Sequence, residues 1–339
     1  MGSVNLLRRI QFVSTGQRSR RFAIVARVLR RKSPLLMPRA TLFIIGIGIL
    51  AISTAAPLIK LLPHVPALVV AAYRLVFAVL ALAPVGYAQM RATQVRLDRH
   101  TLWLVAGAGV CLALHFAAWI SSLRYTSVAS SVVLVTLNPL FLALAGYVLW
   151  RERLTGALGL SISLAVGGSV CIAWSDAQEP AVVQAGSALL GDSLALCGAI
   201  MASAYLLCGR LARPHLALSV YVGLVYACAA LTLVACCLAL GLPLQGYSGQ
   251  TYLLLALLAF VPQLIGHTIL NWALAYLSPT LVALAILGEP VGATLLAYLF
   301  LGEAVGWLQG VGALLILTGI GLGQTQHVAP APAALCRGE

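Results

Sequence analysis

The stretch LVALAILGEPVGATLLAYLFLGE, residues 281–303, sets a carboxylate, Glu289, and a proline, Pro290, in the middle of an otherwise apolar run. Its surroundings decide how to read it. Of the 339 residues, 61% are hydrophobic and 9% charged, which is too little polar material to cover a soluble globule of this size. A spanning helix needs about 20 mostly apolar residues. Ten segments meet that need, centred near residues 51, 77, 111, 138, 164, 199, 228, 262, 289 and 314. Irregular or open-edged backbone cannot face hydrocarbon, and the runs lack the period-2 alternation of a membrane barrel, so the segments are read as helices. The expected fold class is an all-α polytopic membrane protein with ten transmembrane helices.

Sliding the chain by 151 residues aligns YTSVASSVVLVTLNPLFLALAGYVLWRERLTGALGLSISLAVGG, from Tyr125, with YLSPTLVALAILGEPVGATLLAYLFLGEAVGWLQGVGALLILTG, from Tyr276, without a gap. Tyr125 pairs with Tyr276, Ser127 with Ser278, Pro139 with Pro290, Tyr147 with Tyr298, Glu152 with Glu303, Gly159 with Gly310 and Gly168 with Gly319. Generic membrane composition matches leucine to leucine. It has no reason to match proline, glutamate and glycine at one offset, so the chain is read as a duplication. Each copy then holds five helices, and an odd number means that the second enters the membrane from the opposite side. Two inverted five-helix repeats around a midplane cavity are the architecture of many secondary transporters.

The net charge of +13 reads as orientation rather than as a nucleic-acid footprint, because short cytoplasmic loops hold lysine and arginine. With the N-terminus inside, ten basic residues precede the first span, and Arg91, Arg96, Arg99, Arg151, Arg153, Arg210, Arg213 and Arg337 join them. Lys60 and Arg124 fall outside, and Arg74 lies within the membrane. Both termini are thus expected in the cytoplasm, with the bacterial inner membrane as the location. The first 40 residues carry their ten basic groups and no acid. They fit three readings: a transit peptide, a basic membrane-surface arm, or an upstream start ahead of a native Met37. Seven of the eight cysteines fall in apolar runs, where cysteine acts as a small hydrophobe, and neither a disulfide framework nor a zinc spacing is visible.

The sequences NPLFLALAGYVLWRE and GEPVGATLLAYLFLGE resemble the two copies of the EamA repeat of the drug/metabolite transporter superfamily. AAYRLVFAVLAL is similar to that family's second helix, GDSLALCGAIMASAYLLCGR to its sixth and WLQGVGALLILTGIGL to its tenth. The resemblance covers roughly residues 41 to 323. It implies a ten-helix basket in which residues 41–174 form the first repeat and 189–323 the second, followed by a tail over 324–339. It also implies a substrate cavity between the repeats and secondary transport of a small molecule. Asn138, where the second copy has Glu289, departs from a symmetric pattern.

With a rise of about 1.5 Å per residue and a core of about 30 Å, Arg74 lies about 12 Å deep and Glu289 roughly 15 Å from either face. Asn138 falls in the same layer. Charge at that depth marks a functional candidate. Two readings stand: a structural Arg74–Glu289 pair, or side chains lining a cavity, with Glu289 exchanging a proton for substrate. Pro139 and Pro290 either break helices beside a cavity or kink them for packing. Gln263, His267 and Asn271 recur every four residues on one helix face. His115 and Trp119 repeat that spacing in the third span, and one gap aligns His115 with His267, the first in the outer half and the second in the inner half. Interhelical hydrogen bonding is the plainer account of these groups. Tyr73, Tyr205 and Trp272 read as packing or interfacial anchors, and the glycines of spans 5 and 10 as close-approach surfaces. Glu152 and Glu303 read as helix caps at the membrane edge. The resemblance and the mixed aromatic and polar candidates lead to an expected export of a small amphipathic metabolite such as an amino acid or a drug-like compound, with a nucleotide-sugar or phosphorylated-sugar exchanger as the alternative. An ATP-driven pump is excluded by the missing GxxxxGK[ST] loop. No cofactor motif is present, and a membrane-embedded transferase or receptor is left as a minor reading.

Overall fold

The computed structural model describes residues 39–93, 97–125, 128–151, 155–177, 188–301 and 306–324, all within one compact unit spanning residues 37–339. Glu152, Glu303, the basic extension before residue 39 and the tail beyond 324 lie outside the described residues. The described chain is helical, with no strand among its residues.

The first copy comprises α1 (Arg39–Ser53), α2 (Ala55–Lys60), α3 (Ala67–Thr93), α4 (Arg99–Ser122), α5 (Val128–Val135), α6 (Asn138–Trp150) and α7 (Gly156–Ala177). The second comprises α8 (Ala188–Ala212), a 3₁₀ turn (Arg213–His215), α9 (Leu218–Ala239), α10 (Gly249–Leu258), a π-helix (Ala259–His267), α11 (Thr268–Ala273), α12 (Pro279–Ile286), α13 (Glu289–Leu301) and α14 (Trp307–Gln324). Among the described residues, six stretches are long and apolar enough to cross a membrane: Thr41–Lys60, Ala67–Ala92, Arg99–Ser122, Leu189–Ala212, Leu218–Ala239 and Gly249–Ala273. The segments around 138, 164, 289 and 314 form shorter apolar helices.

Local chemistry explains the ends. The Asp98 carboxylate accepts the Thr101 N–H at 3.0 Å and starts α4, and hydrogen bonds from Thr101 hold that carboxyl below the usual carboxylate range. Ser248 caps α10 through the Thr251 N–H at 3.2 Å, and Ser278 caps α12 through the Leu281 N–H at 3.3 Å.

The packing partners are symmetric under exchange of the copies. The π-helix packs on α1 as α4 packs on α8, and α13 packs on α1 as α5 and α6 pack on α8. Two pairings map onto themselves, α7 with α14 and α3 with α9, and the pairing of α6 with α12 maps onto that of α13 with α5. Two buried serines repeat the relation at bond level. Ser53 on α1 donates to the Glu289 carbonyl at 3.2 Å, and Ser203 on α8 donates to the Asn138 carbonyl at 3.4 Å. Each also bonds the carbonyl four residues upstream, Ile49 or Ala199, at 2.8 Å.

The α7–α14 crossing rests on two glycines. A Cβ on Gly168 would strike the Gly312 carbonyl oxygen and reach the Ile316 backbone nitrogen at 2.9 Å. A Cβ on Gly319 would meet the Ser161 carbonyl at 2.6 Å and the Ala165 nitrogen at 2.9 Å. Gly159, Gly167 and Gly310, read from sequence as close-approach surfaces too, have nothing within 4 Å of such a Cβ. Membrane helices come this close only where the side chain is missing from one partner.

Candidate functional site

The helix breaks build the site. One helix ends at Val135 and the next begins at Asn138, with Pro139 in its first turn. The second copy repeats this, ending at Ile286 and restarting at Glu289, with Pro290 next. A proline in a first helical turn forfeits no hydrogen bond, because that N–H has no intrahelical acceptor. The prolines therefore open new helices, which replaces the reading of a packing kink. Asn138 and Glu289 each stand first in their helix, and both line one cavity.

Six of the ten sequence candidates share that cavity wall: Arg74, His115, Trp119, Asn138, His267 and Glu289. The cavity volume is about 50 Å³. At roughly 10–15 Å³ per water by that measure, this is room for a few waters or one compact ligand.

Gln263 and Asn271 sit behind the wall. The Arg74 Nε–H donates to Gln263 Oε1 at 2.8 Å, and the guanidinium lies 4.2 Å from the centre of the Phe116 ring, a cation–π contact. The π-helix, Ala259–His267, carries Gln263 and His267. Such wide turns are rare and frequent at functional sites. Asn271 accepts the Tyr205 hydroxyl on Oδ1 at 2.6 Å and donates from Nδ2 to the His267 carbonyl at 2.8 Å. Pro139 and Pro290 contribute backbone geometry only.

His115 Nδ1 lies 3.0 Å from the Gly198 carbonyl. A carbonyl can only accept, so Nδ1 carries the proton and Nε2 is left as the acceptor of the neutral ring. The ring stacks on Trp119 at 6.1 Å and 6°. Phe116 stands between the two histidines, 4.8 Å from the His115 ring and 5.3 Å from that of His267.

Arg74 and Glu289 face the same cavity without a direct ion pair among the described residues. Three further atoms decide the chemistry. Arg74 Nη1, Trp119 Nε1 and Asn138 Oδ1 are buried and bond no protein atom, on residues only 1%, 4% and 3% exposed. An unmatched buried polar group costs about 1–3 kcal/mol, so a site with three of them is built to receive something polar.

Sequence reading missed Tyr205, read as a packing or interfacial anchor. It lines the cavity, as do Thr136, Ala202 and Leu206. The signal was present in α8 as the helical spacing of Ala199, Ala202 and Leu206, buried on one face with Tyr205. Tyr73 and Trp272 do pack elsewhere. The Tyr73 hydroxyl donates to the Leu244 carbonyl at 2.5 Å, and Trp272 tilts on Tyr276 at 5.1 Å. Arg213, counted from sequence as a loop charge, is buried, with its Nε–H on the Asn271 carbonyl at 3.0 Å and Nη1 on that of Leu216 at 2.5 Å. Arg124 similarly ties the carbonyls of Pro63, at 3.0 Å, and Val65.

Two like helical halves closing on a polar cavity, with six apolar helices of membrane-spanning length among the described residues, define an integral membrane protein. The sequence model of the EamA-like transporter family matches residues 38–174 and 189–322, and the chain belongs to that family. None of the curated proteins matches it in sequence. A solved structure titled "Crystal structure of protein" aligns with a TM-score of 0.67 at 22% identity, over 84% of this chain and 97% of its own, a likeness of fold.

Proposed function

We propose that this chain is a secondary transporter that exports a small amphipathic metabolite by alternating access. Its ten apolar segments cross the membrane as two inverted five-helix halves, with both termini in the cytoplasm. The observation that carries this reading is the exchange-symmetric packing around one polar cavity: a site shared equally by two halves opens to one side when they rock one way and to the other when they rock back. The arginine ties support it. Arg124 holds the turn between the first two spans, and Arg213 holds the corresponding turn of the second copy, so each end of the cavity has a fastening that can be released in turn. Glu289 is the coupling group, exchanging a proton for substrate.

A phosphorylated-sugar or nucleotide-sugar exchanger is the second reading. Arg74 is the single Lys or Arg among the described residues lining the cavity, which is sparse charge for a phosphate dianion. In sealed liposomes, purified protein is expected to exchange labelled substrate for unlabelled, and a membrane-embedded transferase would turn substrate over without a sealed compartment.

Alternating access gives a directional expectation for the histidines. In a background without the native cysteines, His115→Cys reacts with a membrane-impermeant thiol reagent from outside and His267→Cys from inside. Equal labelling of both from one face would sink the proposal.

A further inference from the structure

We infer that Asn271 latches the end of the cavity at which Arg213 lies and that the Tyr205 hydroxyl holds the latch; this rests on the transport reading and adds to it what keeps that end shut. The Tyr205 hydroxyl, on the cavity wall, donates to Asn271 Oδ1 at 2.6 Å. The Asn271 carbonyl takes the Arg213 Nε–H at 3.0 Å. All three residues are buried. Tyr205 belongs to α8 and Arg213 to the 3₁₀ turn that follows it, whereas Asn271 belongs to α11. These elements keep different company: α8 packs mainly on α4, α5 and α6, and α11 on the π-helix, α1 and α9. One residue thus bridges separate packing groups through its side chain and its backbone at once. Leu274, just past α11, shuts the seam further along, since its Cδ1 lies 2.8 Å from where a Cβ on Gly209 would stand.

The opposite end is fastened differently. Arg124 is exposed and holds the carbonyls of Pro63 and Val65, neither of which lines the cavity. One end is therefore wired to the cavity wall and the other is not. At the wired end, Asn271 Nδ2 is spent on the His267 carbonyl at 2.8 Å, and Oδ1 depends on Tyr205. Drawing the Tyr205 hydroxyl away leaves a buried acceptor unmatched while the end stays shut, and opening relieves this by admitting water. Whatever engages that hydroxyl from the cavity side favours release at Arg213 and leaves Arg124 as it was.

The test reads opening by chemistry at the wall. Val135→Cys, which lines the cavity away from the latch, is placed in the full chain without its native cysteines, and a membrane-impermeant thiol reagent is applied to one face of membrane vesicles at a time. Tyr205→Phe keeps the ring and removes only the donor. Asn271→Ala keeps the carbonyl that holds Arg213 and removes only the side chain. Each is expected to raise the labelling rate from the Arg213 face by about 2-fold to 10-fold, the size of one net hydrogen bond, without raising it from the Arg124 face. Both substitutions cut the same bond, so the double variant is expected to label no faster than the faster single one. Tyr221→Phe is the control: its ring lies 6.0 Å from the Arg213 guanidinium and its hydroxyl bonds no protein atom, so the rate is expected to stay unchanged. The latch is overturned if Tyr205→Phe labels at the parent rate, if labelling rises equally from both faces, as general loosening would give, or if the two effects multiply. With Tyr205→Phe silent, faster labelling of Arg213→Gln from its own face overturns the latch alone, whereas labelling confined to the Arg124 face in every variant, Arg213→Gln included, overturns the transport reading with it.

Discussion

Glu289→Gln is expected to bind substrate and exchange it across liposomes, yet to lose pH-driven uphill accumulation altogether. The substitution preserves side-chain shape at the start of α13 while removing the one carboxyl among the described residues that line the cavity. A transporter whose proton site is fixed in one state can still equilibrate its cargo, because exchange requires only that the loaded cavity face both sides. It cannot link cargo to a proton gradient. Full accumulation by Glu289→Gln would show that coupling runs through another group. A structural pair predicts a different pattern, with Glu289→Gln failing to fold and Arg74→Gln/Glu289→Gln restoring folding. The missing direct ion pair in this structure makes that outcome the less expected one.

Gly168→Leu and Gly319→Leu are each expected to abolish the monodisperse folded protein, and Gly167→Leu and Gly310→Leu to be harmless. At the first two positions the new Cβ meets backbone atoms of the partner helix within 3 Å, and backbone cannot swing aside as a side chain can. Overpacking already costs about 1–3 kcal/mol where neighbours relax, and separating α7 from α14 forfeits a contact that binds one half to the other. At the control positions the Cβ meets open space. Size-exclusion profiles of the four variants in detergent decide the matter. A sharp native peak from Gly168→Leu would mean that the crossing tolerates separation.

Much of this architecture was legible because it is written as residue type against depth. Glu289 and Arg74 stand out since charge in hydrocarbon is rare, and the offset of 151 stands out since proline and glycine matched where leucine would have matched by chance. The helix breaks were half legible: Pro139 and Pro290 marked the places, but a proline reads equally as a kink or a start until the preceding turn is seen. Ser53 and Ser203 gave no warning, because a serine in an apolar run most often bonds its own helix, and both do so. Their second bonds, to Glu289 and Asn138, depend on which helices meet. Arg213 illustrates the opposite failure. Loop charge statistics took it for a solvated cation, whereas the carbonyls of Asn271 and Leu216 take up its donors.

The π-helix reconciles a difference in length between the two copies. Between its caps, Ser248 and Leu274, the third helix of the second copy is one residue longer than its counterpart between Asp98 and Leu123. In an unbroken α-helix one added residue turns everything beyond it by about 100°, which would swing Asn271 away from Tyr205 and Arg213. Widened turns over Ala259–His267 absorb the surplus and return the helix to phase. The stretch is therefore slack in an otherwise taut register. Deleting Val261 should remove the surplus with both ends still in place and leave a folded protein, while deleting Val110 from α4, which stores no surplus, should not. A single stored residue thus keeps the ends of this helix in register with their partners while its widened middle carries Gln263 and His267.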